Sequence, residues 1–247
     1  MSQPPYQSDS WPPDQPINPP RHRISIAGEN SLIVYFGDQP SAAISAEIAA
    51  IASDLKATLG ELLIDMVPSY ASLLLIYDGL HTDHFAIRRA VRISLERWAH
   101  KMPESTSQLL KLPVYYSAES GPDLEALAAQ AKLPPEQVIA LHQQTEYRVY
   151  AIGFAPGFAY LGEVDERIAA PRKATPRLRV PAGAVAIANR QTAVYPSTSP
   201  GGWNLIGRCP IPMFDPLATP CMPIQVGDRV RFTAIDRDRY LALGGQF

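Results

Sequence analysis

The segment from residue 153 to residue 208 is so rich in glycine and proline that no long helix can run through it. Glycine-rich runs occupy residues 153–162 and 199–208, and the chain between them carries Pro171, Pro176 and Pro181. Glycine permits positive φ, whereas proline fixes φ and removes a backbone donor. This composition predicts short strands joined by rigid loops, which would present side chains and backbone N–H groups to a small ligand or a partner.

The overall composition excludes several classes of protein. The chain has 247 residues, 46% of them hydrophobic, and a formal net charge of −2. That length suffices for one large domain or two modest ones, and the near-neutral charge gives no electrostatic basis for binding nucleic acid. No apolar run reaches the roughly 18 residues of a membrane helix. Because the N-terminus also lacks a secretion signal and the two cysteines are too few for a disulfide framework, we expect a cytoplasmic protein.

The first 104 residues divide into a tail and an α+β domain. Residues 1–20 carry seven of the 25 prolines and almost no aliphatic residues, which predicts a disordered or polyproline tail; a proline-rich docking motif is the alternative. In residues 21–104, apolar periodicity predicts the order strand, strand, helix, strand, strand, helix, with the second helix capped by Thr82. This order predicts an α+β domain arranged as a ferredoxin-like two-layer sandwich.

The remaining chain, residues 105–247, is predicted to be mainly β. The polar stretch 101–108 marks the boundary, and two short helices follow, at Leu124–Ala131, with Asp123 as its cap, and from Pro134 to His142. Beyond residue 147, short strands alternate with Pro/Gly turns and no long helical pattern remains. This alternation is typical of an antiparallel barrel or sandwich.

Several common catalytic and binding motifs are missing from the sequence. It contains no phosphate-binding P-loop motif, no dinucleotide fingerprint after a strand and no Gly-x-Ser-x-Gly elbow. The five histidines show no zinc pattern, because His81 and His84 have no third ligand nearby. We therefore predict no metal site in this chain.

A proline-braced cationic loop is the main candidate site. Four cations lie within eight residues, at Arg172, Lys173, Arg177 and Arg179. Because arginine offers a planar fork matched to carboxylate or phosphate, we predict an anion site in which Arg172 and Arg177 act catalytically. The alternative is a solvated loop whose cations pair with local acids such as Asp165 and Glu166.

Other polar and aromatic side chains extend the candidate site. His142 is a candidate general base, although a hydrogen-bonded structural histidine is the alternative, and Cys209 is more consistent with a buried thiol than with a reactive one. Trp203 is interpreted as a pocket wall, an interface anchor or a core cap. No complete set of nucleophile, base and orienting residue can be assembled, which suggests a site completed by another chain. The predicted substrate- or nucleotide-binding residues are Phe154, Pro156, Phe158, Tyr160, Lys173, Gln191, Tyr195, Ser199 and Trp203.

These loops carry a family resemblance that spans residues 24–233. The sequence resembles the KipI family, also described as allophanate hydrolase subunit 1-like or as the B subunit of 5-oxoprolinase. It departs from the family pattern at Cys209, where threonine is usual, and at Ala184, where serine is usual. The matching stretches are residues 67–70, 72–74, 77–78, 112–116, 121–124, 141–142, 153–162, 171–172, 176–177, 180–183, 191–192, 195–196 and 199–208.

The resemblance implies a fold, an activity and partners. It implies an α+β domain followed by a cyclophilin-like β-barrel, and a complex with two partners, a large C-like one and an A-like lactam hydrolase. Such a complex would couple ATP cleavage, with Mg²⁺, to the opening of 5-oxoproline to glutamate, and the isolated chain would be inactive. The alternatives are a KipI-like inhibitor of a histidine kinase and an allophanate hydrolase or carboxyltransferase-like subunit.

Overall fold

A four-stranded antiparallel sheet covered by two helices forms the first part of the fold. The computed structural model describes residues 21–99 and 108–247, so the predicted tail 1–20 and the predicted boundary between residues 104 and 105 lie outside the described residues. The sheet order is β1-β2-β4-β3. In chain order, the elements are β1 Arg23–Gly28, β2 Ser31–Tyr35, α1 Ala42–Leu59, β3 Leu63–Ser69, β4 Ser72–Tyr77 and α2 His84–Trp98.

Side-chain caps define where the two long helices begin. The Ser41 hydroxyl accepts a hydrogen bond from the backbone N–H of Ile44 at 3.1 Å, and the C-terminal cap of α1 is Gly60, whose φ is 52°. At the start of α2, the Asp83 carboxylate accepts from the N–H of Ala86 at 2.8 Å. The predicted cap Thr82 is therefore wrong by one residue, because the acidic side chain that follows it reaches the free N–H groups of the first turn.

The predicted two-layer α+β arrangement is present, but its ferredoxin-like description is not confirmed. Alternate residues of β2 and β4, such as Val34 and Leu75, pack against the apolar stripes of α1 and α2, such as Ile51 and Val91. The chain order is β-β-α-β-β-α and every strand pair of this sheet is antiparallel. A ferredoxin-like sandwich instead follows the order β-α-β-β-α-β.

A closed barrel of seven strands forms the second part, in agreement with the predicted cyclophilin-like barrel. Its strand order is β10-β7-β6-β13-β5-β12-β9, with β5 and β13 parallel and the other described pairs antiparallel. A separate ribbon pairs β8 with β11. In chain order, the elements are β5 Leu109–Tyr115, α3 Leu124–Ala131, α4 Pro135–Gln144, β6 Tyr147–Ile152, β7 Ala159–Gly162, β8 Arg177–Val180, β9 Ala184–Ala188, β10 Gln191–Val194, β11 Ser199–Gly201, β12 Asn204–Arg208, β13 Arg229–Ile235 and α5 Arg237–Ala242.

The helices of this part are short and sit beside the barrel strands. Helix α3 has the predicted bounds, and α4 begins with proline in its first turn, as predicted. The six-residue helix α5 was not predicted, because its pattern is too short to register as helical periodicity. Of the helices in the described part of the chain, none combines the length and the apolar character needed to cross a membrane.

The barrel wall has two different faces because successive strand residues point in opposite directions. On one face, Val185 and Ile187 of β9 join the main core with Val149 and Phe232. On the other face, the small residues Ala184, Ala186, Ala188 and Ala193 form a platform. The platform is covered by an aromatic cluster, which consists of Phe158, Tyr160, Tyr195 and Trp203.

Candidate functional site

The cationic loop, residues 172–179, is held by a carboxylate that lies far away in the sequence. The Asp123 Oδ1 atom accepts hydrogen bonds from Lys173 Nζ and from Arg177 Nη2, both at 2.7 Å. Its second oxygen, Oδ2, accepts from the backbone N–H of Leu205 at 2.8 Å. Asp123 was predicted as the cap of α3, but its side chain accepts nothing from that helix and instead forms ion pairs with two of the four predicted anion-binding cations.

The protonation state of Asp123 follows from these contacts. Burial opposes ionisation of the carboxyl group, but the hydrogen bonds from Arg177, Lys173 and the Leu205 N–H outweigh burial, so the pKa of Asp123 is lowered. The predicted local acids pair elsewhere: Asp165 contacts Arg167 and Glu166 contacts Arg190. The alternative that these two acids pair with the loop is therefore wrong in its partners, although two of the loop cations do pair with an acid, Asp123.

Arg172 differs from its two clamped neighbours. Its guanidinium carbon lies 5.8 Å from the centre of the Trp203 ring, and the described residues give it no ion pair. The loop beside it is immobilised by backbone contacts, since Lys173 N donates to the Gly202 carbonyl at 2.7 Å and Asn204 Nδ2 donates to the Pro171 carbonyl at 2.9 Å. Arg172 is thus an exposed cation on a rigid loop beside an aromatic wall.

The aromatic cluster forms that wall through edge-to-face contacts. The Phe158 ring centre lies 4.9 Å from that of Tyr160, 5.2 Å from that of Tyr195 and 5.6 Å from that of Trp203. Tyr195 lies so close to Gly201 that a Cβ atom there would sit 2.4 Å from the phenol oxygen. Four of the predicted binding residues, Phe158, Tyr160, Tyr195 and Trp203, therefore meet on one face of the barrel.

Tyr195 also has a perturbed hydroxyl. Burial raises its pKa, while the backbone N–H of Trp203 and the nearby Arg172 partly offset that effect. At neutral pH the group is therefore a protonated phenol, which can donate its proton to a ligand.

The remaining predicted binding residues lie around the cluster. Phe154 is exposed, has a φ of 73° and contacts Phe158 at a ring separation of 5.2 Å, while Pro156 is exposed in the same turn. The turn is closed by a hydrogen bond from Gly153 N to the Phe158 carbonyl at 3.0 Å. Ser199 opens the ribbon strand β11, where it pairs with Val180. A positive φ at a bulky residue is uncommon and concentrates at functional loops.

The structure does not bring His142 to this site. Its ring is fully buried, stacks on Phe232 at 4.5 Å, and hydrogen-bonds to the Tyr116 hydroxyl at 2.8 Å and to the Thr192 hydroxyl at 2.9 Å. Thr192 and Ala193 are consecutive in β10, so His142 and the aromatic cluster lie on opposite faces of the barrel wall. Burial lowers the pKa of His142 to about 3, which keeps the imidazole neutral.

Cys209 is a buried thiol, as its sequence context indicates. Its side chain is 2% exposed and burial raises its pKa to about 12. The other cysteine, Cys221, is exposed. Within residues 21–99 and 108–247, no group of three His, Cys, Asp or Glu side chains is arranged to hold a metal ion.

Two tyrosines at the edge of the site were not predicted. Gln191 Nε2 donates a hydrogen bond to the hydroxyl of Tyr70, which lies in the turn between β3 and β4. The Tyr70 ring stacks on Tyr150 at 6.0 Å and lies 6.2 Å from the Tyr160 ring. The turn at Tyr70 is recognisable in the sequence, but no local pattern indicates that it meets a strand more than 100 residues later.

Comparison with known proteins first defines the class of this fold and site. The family model described as "Carboxyltransferase domain, subdomain C and D" matches residues 22–224. The 5-oxoprolinase B subunit of Bacillus subtilis (strain 168) is 37% identical over 232 residues, which cover 90% of this chain and 96% of that protein. The 5-oxoprolinase B subunit of Escherichia coli O157:H7 is 45% identical over 140 residues, 56% of this chain and 64% of that protein. The chain belongs to the 5-oxoprolinase B-subunit family of carboxyltransferase-domain proteins.

Solved structures agree with that assignment. The crystal structure of TTHA0988 superposes with a TM-score of 0.74 at 37% identity, covering 83% of this chain but only 40% of the TTHA0988 chain. The urea amidolyase of K. lactis superposes with a TM-score of 0.68 at 17% identity, covering 89% of this chain and 15% of that chain, and shares the fold alone. The same fold therefore occurs as one segment of longer chains.

Proposed function

We propose that this chain is the B subunit of an ATP-dependent 5-oxoprolinase, which opens the lactam of 5-oxoproline to glutamate together with partner subunits. The proposal is supported by relatives that carry this name, one of which aligns along nearly its whole length. The observation that carries it is the placement of Arg172 against Trp203, beside two cations that are paired with Asp123. Arg172, which lies against the aromatic cluster, thus stays available for a ligand oxygen.

The residues of the site have distinct roles in this proposal. Arg172 binds the carboxylate of 5-oxoproline or a phosphate oxygen, since its guanidinium carries no ion pair to a described residue. The aromatic cluster shields one side of the ligand from water. Lys173 and Arg177 keep the loop rigid through Asp123, although Arg177 Nη1 is buried without a hydrogen-bond partner among the described residues. We assign His142 a structural role inside the barrel.

ATP and Mg²⁺ belong to the assembled complex in this proposal. When bound, ATP supplies the phosphoryl group that makes the lactam carbonyl electrophilic. Phosphate oxygens suit the exposed Arg172, whereas the described residues offer no carboxylate cluster for a metal ion. We therefore assign Mg²⁺ to the nucleotide and not to side chains of this chain.

We propose that partners complete the site, namely a large C-like protein and an A-like lactam hydrolase. The described residues near Arg172 contain no hydrogen-bonded pair of nucleophile and general base, which hydrolytic chemistry requires. TTHA0988, in which this fold occupies 40% of a longer chain, indicates that the fold can be joined to further sequence. We further place residues 21–104 and 105–247 in separate domains, and the protein in the cytoplasm.

The test is 5-oxoproline-dependent ATP hydrolysis by the chain alone and mixed with its candidate partners. We expect turnover only in the mixture, because the chain lacks a complete catalytic set. Omission of 5-oxoproline is the control for uncoupled ATP hydrolysis, and size-exclusion chromatography verifies assembly.

Either of two results contradicts the proposal. Turnover by the purified chain alone would rule out the subunit role, and an assembled mixture that remains inactive would rule out the enzyme. In the second case, a KipI-like inhibitor of a histidine kinase becomes the function to test.

A further inference from the structure

The β3–β4 hairpin reaches from the α+β sheet to the mouth of the barrel site. Its turn contains only Tyr70 and Ala71, between the paired residues Ser69 and Ser72. The turn is anchored because Phe36 N donates to the Ala71 carbonyl at 2.8 Å. A two-residue turn that is anchored in this way restricts the backbone at Tyr70, and this limits the positions that the ring can take.

On the barrel, Tyr70 meets the outer face that carries the candidate site. Gln191 precedes Thr192 and Ala193 in β10, so its side chain points to the same face as Ala193 and the aromatic cluster. Tyr150 and Tyr160 flank the Tyr70 ring at 6.0 and 6.2 Å. The Tyr70 side chain is half-buried at the edge of the cluster.

The hydrogen bond from Gln191 determines what the Tyr70 hydroxyl offers to a ligand. Because the Gln191 Nε2 group donates, the phenol oxygen is the acceptor, and the phenol proton points elsewhere. The hydrogen bonds of the described residues give that proton no acceptor. Burial raises the pKa of Tyr70, opposed in part by Gln191 and by the nearby Arg172, so the phenol stays protonated at neutral pH.

The groups around this point are mainly donors. Arg172 cannot accept a hydrogen bond, and the Tyr195 phenol, which burial keeps protonated, can donate one. Arg172 lowers the pKa of both the Tyr70 and the Tyr195 hydroxyls, so its positive charge acts on both phenols. Such a set fits a ligand that presents only acceptors, such as a carboxylate or an amide carbonyl.

We propose that Tyr70 is a ligand-binding and specificity-determining residue of the barrel site, which donates its phenolic proton to an acceptor oxygen of a carboxylate-bearing lactam. Gln191 is the positioning residue that orients this donor. The inference rests on the proposed function for the identity of the lactam, but the binding geometry stands on the hairpin contacts. The ligand site is therefore shared between the α+β sheet and the barrel.

The test compares Tyr70→Phe with Tyr115→Phe in the assembled complex. We expect Tyr70→Phe to raise KM for 5-oxoproline about tenfold with kcat within about twofold, because one hydrogen bond to the ligand is lost while the ring is kept. Tyr115→Phe is the matched control, since it removes a half-buried phenol of the barrel that contacts Tyr240 and Phe247 instead. It should leave KM unchanged.

Two further measurements keep the inference falsifiable. Gln191→Leu should also raise KM, by less than Tyr70→Phe, and it decides the question if the Tyr70 variant does not assemble. Calorimetric titration of 5-oxoproline into the chain without ATP tests binding directly, and Tyr70→Phe should weaken it by a similar factor.

The outcomes separate this inference from the proposed function. Turnover by the wild-type complex with an unchanged KM in Tyr70→Phe overturns the role of Tyr70 alone. An inactive wild-type complex that still binds 5-oxoproline in a Tyr70-dependent manner overturns the enzyme and supports the site. An inactive complex without 5-oxoproline binding overturns both.

Discussion

At the scale of single residues, Asp123 determines what the cationic loop can bind. The sequence predicts a loop of four cations, but the Asp123 carboxylate forms ion pairs with two of them, Lys173 and Arg177, each at 2.7 Å. Asp123 lies 50 residues before Lys173, and its position ahead of α3 indicated only a helix cap. The sequence therefore predicts a cationic loop. It does not show which of the cations are held by Asp123 and which remain available for an anion.

Arg172→Ala and Arg177→Ala should therefore differ in their effects. We expect Arg172→Ala to abolish turnover of the complex with an unchanged melting temperature, because its guanidinium lies at the surface over Trp203. Arg177→Ala should destabilise the fold by roughly 1–3 kcal/mol, since it removes a charged hydrogen bond from the buried Asp123 carboxylate. Thermal unfolding and 5-oxoproline-dependent ATP hydrolysis measure the two effects.

Arg179→Ala provides the matched control for both variants. Arg179 is an exposed arginine of the same loop and has no ion pair to a described residue, so neither stability nor activity should change. Wild-type turnover in Arg172→Ala would remove the anion-site assignment, and an unchanged melting temperature in Arg177→Ala would show that the Asp123 clamp is not structural.

His142 should make the stability of the fold depend on pH. Its pKa of about 3 in the folded chain lies below its ordinary value of 6.5, so below pH 6.5 the unfolded chain binds a proton that the folded chain does not. The free energy of unfolding should therefore fall on acidification, by up to about 1.4 kcal/mol per pH unit from this group. His142→Gln lacks the titrating ring but keeps donor and acceptor atoms for Tyr116 and Thr192.

Denaturant unfolding at pH 7 and pH 5 measures this difference. The stability advantage of the wild-type chain over His142→Gln should shrink by about 2 kcal/mol between these pH values. Carboxylates with lowered pKa, such as Asp165, are present in both chains and cancel in the comparison. Parallel stability profiles would show that the buried histidine does not resist protonation.

At the scale of elements, the close approach of one turn to one strand holds the Asp123 clamp in place. A Cβ atom on Gly121 would lie 2.0 Å from the carbonyl carbon of Ile206. Two residues on, Asp123 N donates to the Leu205 carbonyl at 2.9 Å, which ties the start of α3 to β12. The glycine is required because only a residue without Cβ lets the two backbones approach this closely.

Gly121→Ala should accordingly destabilise the chain by roughly 1–3 kcal/mol or more, because backbone atoms cannot yield as a flexible side chain does. Gly79→Ala is the control, since a Cβ there would meet only the Asn30 side chain at an ordinary 3.5 Å. Chemical denaturation of both variants gives the comparison. Equal stabilities would mean that the turn at Gly121 shifts without cost.

The elements that the sequence predicts well are those with strong local patterns. The stripe of Ile48, Ile51 and Leu55 predicts α1, and the bounds of α3 agree with its apolar spacing. The ribbon of β8 and β11 and the hairpin contact of Tyr70 with Gln191 could not be predicted, because they depend on pairings between residues that are distant in the chain. Periodicity identifies elements, whereas partners across the fold are decided by packing.

At the scale of the whole molecule, the candidate site draws on both parts of the fold. The barrel supplies Arg172 and the aromatic cluster, and the α+β sheet supplies Tyr70 across the Gln191 contact. Exposed apolar side chains lie nearby in the sequence, with Leu178 of β8 at 92% exposure between Arg177 and Arg179. A site assembled from two parts and bordered by exposed apolar surface is consistent with completion by a partner protein.

The parallel pairing of β5 with β13 has a consequence for synthesis on the ribosome. Strand β13 lies between β5 and β6 in the barrel, yet β5 starts at Leu109 and β13 at Arg229. At about 5–20 residues per second, the free edge of β5 waits roughly 6–24 s for its neighbour. During that interval the nascent barrel exposes an unpaired strand edge, which other chains can recruit. The earlier α+β sheet, whose strands all lie within residues 23–77, can already be complete beside it.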